Sequence, residues 1–163
     1  FIQLGFQPNN VYGIDILDER LTEAKFKYPN VKFLLDDARN MNFGDNLFDL
    51  VMQSTMFVQI TDETIANQIA QEMIRVTKKN KYILLIDWIY GKPGNHEYSG
   101  FTKKRMQRLF SLGSKTKIIS SFDGPLIPPI GRKLSKFLPE LYFPIKSIFP
   151  FLVGAKAILL KKI

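Results

Sequence analysis

Apolar residues along this chain recur in two patterns, short unbroken runs and stripes at helical spacing. Val11–Ile16 (VYGIDI), Val31–Leu35 (VKFLL) and Phe48–Met52 (FDLVM) are short runs bounded by turn residues, and each predicts a buried strand. Between the first two, Leu21, Ala24 and Tyr28 share one face of a helix that Asp18 is placed to cap and that Pro29 and Asn30 stop. After the third run, Thr61 or Asp62 caps a long helix whose apolar stripe is Ile65, Ala66, Ile69, Ala70, Met73 and Ile74.

The pattern continues through the second half. Lys78–Lys81 reads as a basic turn. Tyr82–Ile89 (YILLIDWI) is nearly all apolar, as a central strand covered on both faces should be. Residues 91–100 read as a loop, and Thr102 starts a basic helix that runs through Phe110. Lys117–Phe122 and Ala157–Leu160 are two further strands. Strands alternating with helices predict an α/β fold with a doubly wound sheet. Six of the nine prolines fall between Pro125 and Pro150, so the stretch 125–153 is expected as an insertion that cannot form one long helix.

Composition changes this picture in three ways. At 163 residues the chain suits a single domain spanning 1–163. The absence of cysteine excludes disulfides, thiolate metal sites and cysteine nucleophiles, and no metal site is expected. No membrane-spanning run or signal peptide is recognisable, and a cytoplasmic location is expected. Charge is divided unevenly. Residues 1–77 carry six Lys/Arg against eleven Asp/Glu, net −5, and residues 78–163 carry seventeen against four, net +13. An acidic half and a basic half suggest two surfaces with different tasks.

Candidate chemistry gathers after the strands, where open α/β sheets bind their ligands. Asp15 ends the first run, where a carboxylate can accept from ribose hydroxyls; it is otherwise a capping or solvated acid. Asp36, Asp37 and Ala38 follow the second run, where a carboxylate can accept from an adenine amino group; two adjacent loop aspartates are otherwise simply solvated. Gln53, Ser54, Thr55, Met56 and Phe57 follow the third and are suited to lining a pocket beside a cofactor.

Taken with their spacing, the segments VYGIDILDERLTEAK, VKFLLDDARNMNFGDNLFDLVMQSTMFVQITD and VTKKNKYILLIDW resemble the class I S-adenosylmethionine-dependent methyltransferases, most of all the methyltransferase type 11 branch. The resemblance spans about residues 1–122 and, more loosely, the last strand. It implies a Rossmann-like sheet and S-adenosyl-L-methionine as cofactor. It further implies that Asp15, with Ile16 beside it, holds the ribose, that Asp37, with Ala38 and Arg39, contacts adenine, and that Gln53 and Ser54 flank the sulfonium end. The family's first strand and glycine-rich loop have no counterpart here, since Gly5 and Gly13 are isolated. Two expectations stay open on that point, an upstream segment before Phe1 or a shortened, non-catalytic remnant. Gln59 stands where many relatives have His, and Gln is no base at neutral pH. No Asn/Asp-Pro-Pro-aromatic signature follows the third run, which speaks against methylation of nucleobase or glutamine amino groups.

The implied function is methyl transfer to a small-molecule acceptor at oxygen or carbon. A base is needed for either, and His96 and Asp87 are the catalytic candidates, with Glu97 a third and Trp88 and Tyr90 as an apolar wall. His96, the sole histidine, otherwise reads as an exposed loop residue. The basic half suggests an anionic or lipid-linked acceptor. An RNA methyltransferase using that half is a lesser alternative, and nucleic acid is not the expected partner. Residues 137–153 (FLPELYFPIKSIFPFLV) are expected as a lid over the acceptor or as a peripheral membrane contact.

Overall fold

The structure is a computed structural model, and it describes every residue except 1, 2, 4, 92, 93 and 96. The chain divides into two compact units, residues 1–43 and 44–163. The change from acidic to basic sequence at residue 77 therefore falls inside the second unit.

The first unit holds β1 (Tyr12–Asp15), α1 (Asp18–Lys27) and β2 (Lys32–Leu35). The strands lie parallel, with Asp15 opposite Leu35, so their carboxyl ends share one edge. Gly13 leaves room for its neighbour, because a Cβ would sit 2.7 Å from the Phe33 ring and force it to shift. The cap differs from expectation. Leu17 occupies the cap position of α1 with no side-chain cap, and its N–H donates to Asp15 Oδ1 at 2.9 Å. Asp18 is instead the first helical residue, where its charge meets the positive end of the helix dipole. Among the described residues packing in this unit is sparse: Leu21 and Met41 are buried, but Leu34 and Leu35 are exposed and Phe26 is 91% exposed.

The second unit holds β3 (Phe48–Ser54), α2 (Glu63–Val76), β4 (Thr77–Trp88), α3 (Lys103–Leu109), β5 (Thr116–Asp123), α4 (Pro128–Phe137), α5 (Tyr142–Ile148) and β6 (Ala155–Lys162). The sheet order is β3-β4-β6-β5. β3 and β4 are parallel, and β6 runs antiparallel between β4 and β5. Asp62, not Thr61, caps α2, accepting from the N–H groups of Thr64 and Ile65. The stripe Ala66, Ile69, Ala70, Met73 and Ile74 is buried as its spacing predicts. Phe57 is fully buried, stacked on Phe101 at 5.0 Å and edge-on to Phe110 at 5.6 Å.

The basic turn expected at 78–81 lies inside the bounds of β4. The register passes from Phe48 opposite Thr77 to Leu50 opposite Tyr82, and Asn80 takes φ 64°, so these residues bulge out of the ladder. Lys78 and Lys81 pin the bulge to Asp49 at 2.7 and 2.9 Å. Residues 125–153 break into α4, a 3-10 turn at Pro139–Leu141, α5 and a second 3-10 turn at Pro150–Leu152. Proline fills the first two positions of α4 and the first position of each turn, where its missing N–H costs nothing.

Two strands with so little buried apolar surface should open more readily than the four-stranded sheet. Hydrogen exchange followed by mass spectrometry is expected to show β1 and β2 amides exchanging well before those of β4 and β6. Equal protection in both sheets would contradict this.

Candidate active site

The carboxyl end of β3 carries a strained turn. Thr55 takes φ 59°, a left-handed conformation that β-branched residues rarely adopt. Its N–H donates to the Ile86 carbonyl at 2.8 Å, and its carbonyl accepts from Gln59 Nε2 at 2.7 Å. The strain, of order ~1–3 kcal/mol, turns the chain sharply out of the sheet into the 3-10 turn Phe57–Gln59. Ser54 is left exposed at the rim, while Gln53 is only 6% exposed. Gln53 Oε1 accepts from the Met56 N–H at 3.1 Å, but its buried Nε2 has no partner at hydrogen-bonding geometry.

Asp87, one residue before the end of β4, is buried beneath this turn. Its Oδ2 accepts from the Phe57 N–H and its Oδ1 from the Trp88 N–H, both at 2.9 Å. Burial pushes the carboxyl group above the ordinary aspartate range. The Trp88, Phe57 and Val58 N–H groups oppose that shift, as does the Gln53 amide, which leans toward Asp87 too loosely to form a full hydrogen bond. Asp87, expected as a catalytic candidate, is thus engaged in holding backbone.

Arg105 completes the arrangement from α3. It is 5% exposed, and its guanidinium donates to the carbonyls of Phe57, Ser99 and Ile60 and to Glu63 Oε1. Arg108 on the next turn pairs with the other Glu63 oxygen. Arg105 belongs to the helix expected to be basic, yet its own side chain faces inward. The available signal was its spacing from Leu109, which puts both on the buried side of α3.

Beside the end of β4 lies a groove of about 570 Å³ whose walls include Trp88, Leu126, Arg132, Lys136 and Tyr142. Tyr142 Oη accepts from the Leu126 N–H at 3.0 Å, which fixes the phenol against the wall. Gly154 allows the indole in: a Cβ there would stand 2.9 Å from Trp88. Another groove, of about 450 Å³, borders Gln71, Arg75, Lys115 and Lys162. It lies by the start of β4, since Lys162 Nζ donates to the Thr77 carbonyl. That is the wrong end of the parallel strands for a ligand site.

In the first unit the two adjacent aspartates have different surroundings. Asp36 is buried and accepts from the Asp37 N–H and from the Asn42 N–H and Nδ2, so it builds the loop. Asp37 is partly exposed and forms a bidentate pair with Arg39, which holds its carboxyl below the usual range. Ala38 is half-buried between them and Ile16 is exposed after Asp15. Asp15 Oδ2 lies 3.7 Å from Arg20. Of the other candidates, His96 lies outside the described residues. Glu97 is exposed and accepts from Asn95 Nδ2, and Tyr90 donates to the Phe151 carbonyl.

Parallel strands with polar side chains at their carboxyl ends, and an antiparallel strand inserted one place from the edge, define a Rossmann-like domain of the methyltransferase type. Residues 2–80 match the family model described as a methyltransferase domain. The fold is similar to that of a Methanosarcina mazei S-adenosylmethionine-dependent methyltransferase, with 16% identity, 94% of this chain and 82% of that one covered, and a TM-score of 0.67. A Pyrococcus horikoshii protein is 16% identical over 99% of this chain and 73% of its own, with a TM-score of 0.66. A candidate type 11 methyltransferase from Sulfolobus solfataricus is 20% identical, with 99% and 75% covered and a TM-score of 0.63. No curated protein matches the chain. The first half of the chain thus resembles a methyltransferase domain in sequence, and the fold is that of S-adenosylmethionine-dependent methyltransferases. Gln53 Nε2, buried at the carboxyl end of β3 beside Asp87, has no partner at hydrogen-bonding geometry and fits a polar ligand.

Because the buried Arg105 satisfies the buried Phe57 carbonyl and two half-buried ones, Arg105→Met should destabilise the protein by about 3–5 kcal/mol in urea unfolding, with Arg105→Lys recovering only part. A loss below about 1 kcal/mol would show that the carbonyls find other partners.

Proposed function

We propose that this protein methylates a small acceptor bearing an anionic group, at oxygen or carbon. The groove beside β4 carries the reading: its size suits a small molecule, Trp88 and Tyr142 offer aromatic walls, and Arg132 and Lys136 offer positive charge. The cations of α3 give less support to an RNA acceptor, since Arg105 is buried and Arg108 is paired with Glu63.

When bound, S-adenosyl-L-methionine supplies a sulfonium-activated methyl group for in-line displacement. On the proposed reading, Asp15 keeps Oδ1 for the Leu17 N–H and presents Oδ2 to the ribose hydroxyls, next to Ile16. Asp37, oriented by Arg39 and flanked by Ala38, accepts from the adenine amino group. Asp87 acts as a positioning residue, because both of its oxygens already accept backbone N–H groups.

Calorimetry should show cofactor binding by the full chain, weakened about 1–3 kcal/mol by Asp15→Ala through loss of charge-assisted hydrogen bonds. A melting curve that ignores added S-adenosyl-L-methionine would favour a non-catalytic remnant. For the acceptor, Arg132→Ala combined with Lys136→Ala should raise KM about tenfold or more for carboxylated or phosphorylated acceptors, with neutral ones little changed. Product formation that is indifferent to acceptor charge would overturn the anionic assignment.

A further inference from the structure

We propose that the outer face of residues 137–151 docks this protein on an anionic lipid surface. The segment has two sides. Its inner side packs inward through Tyr142, Ile145 and the half-buried Leu152, and the buried Val153 follows it. The outer side presents Phe137, Leu138, Leu141, Phe143, Ile148 and Phe151 to solvent, with Phe143 75% and Phe151 65% exposed. These side chains are a second apolar face, beyond the one that the fold consumes. Contiguous exposed patches of this kind mark interaction sites on water-soluble surfaces.

The elements that carry the patch touch one another, α4 against α5 and both against the turn Pro139–Leu141. The prolines keep these pieces short, so the exposed apolar side chains are spread over several adjoining short elements instead of forming a single helical stripe.

Charge decides the occupant. From Pro128 to Phe151 the sequence has Arg132, Lys133, Lys136 and Lys146 against Glu140 alone. Lys136 Nζ sits 5.1 Å from the Phe137 ring centre, so cation and aromatic share one spot. Aromatic and aliphatic groups that enter the headgroup boundary, rimmed by lysine and arginine, match the chemistry of an anionic bilayer surface. A second copy of this chain would bring the same cations face to face, and that repulsion argues against self-association. Among the described residues no helix is long and apolar enough to cross a membrane, so the contact would be peripheral.

Sedimentation of the full chain with lipid vesicles tests this without cofactor or acceptor, so its failure leaves the proposed methyl transfer untouched. Vesicles of phosphatidylcholine mixed with phosphatidylglycerol should retain at least about tenfold more protein than phosphatidylcholine alone, and high salt should release it. Phe143→Ser with Ile148→Ser and Phe151→Ser should abolish retention while the melting temperature holds, because these side chains are exposed. Lys133→Glu should weaken retention several-fold without touching the apolar patch. Retention that is equal on neutral vesicles, or unchanged by the triple substitution, would overturn the proposal. So would a dimer in sedimentation velocity that the triple substitution dissolves, since a second copy would then cover the face.

Discussion

The peptide of Phe57 is gripped from both sides by buried charge. Asp87 Oδ2 accepts its N–H and Arg105 Nη1 donates to its carbonyl. Without these two side chains the sharp exit from β3 would leave polar backbone groups inside the fold with no partner, at a cost of several kcal/mol. In that low-dielectric setting charge-assisted bonds are stronger than neutral ones. The same guanidinium reaches Ile60 and Ser99, and Ser99 returns a bond to the Val58 carbonyl. The turn after β3, Ser99 and the end of β4 are therefore tied into one edge.

That tie has consequences for chemistry. The proposed methyl transfer would ask little of the protein beyond positioning and the exclusion of water. Trp88 follows Asp87 directly, so the network that holds Asp87 also sets one wall of the groove. The neighbouring Thr55 carries backbone strain that the surrounding bonds sustain, a feature common at functional edges. The first unit contributes differently: its acids sit at the carboxyl ends of two strands with little core beneath them.

The uneven charge of the sequence also takes on a shape. The acidic residues of the first unit include the loop builder Asp36 and the exposed pair partner Asp37. Some cations of the basic half are consumed internally, as Arg105 is. Others, Arg132 and Lys136, line the groove, and Lys133 is exposed on the same helix. A single count of net charge merges these three roles.

Much of this was legible beforehand, because strands and helices are written in local periodicity. The stripe of α2, the apolar run of β4 and the proline-broken insertion could be read from neighbouring residues alone, as could the strand ends where Asp15, Asp37 and Gln53 stand. What only the tertiary structure decided depends on partners distant in sequence. The antiparallel placement of β6 between β4 and β5 leaves no mark on its own apolar run, which would serve either direction. The adjacent Asp36 and Asp37 are chemically identical until Asn42 and Arg39 claim them separately. The structural roles of Asp87 and Arg105 escape such a reading for the same reason: each is defined by bonds to Phe57, thirty and forty-eight residues away, and periodicity holds no record of such bonds.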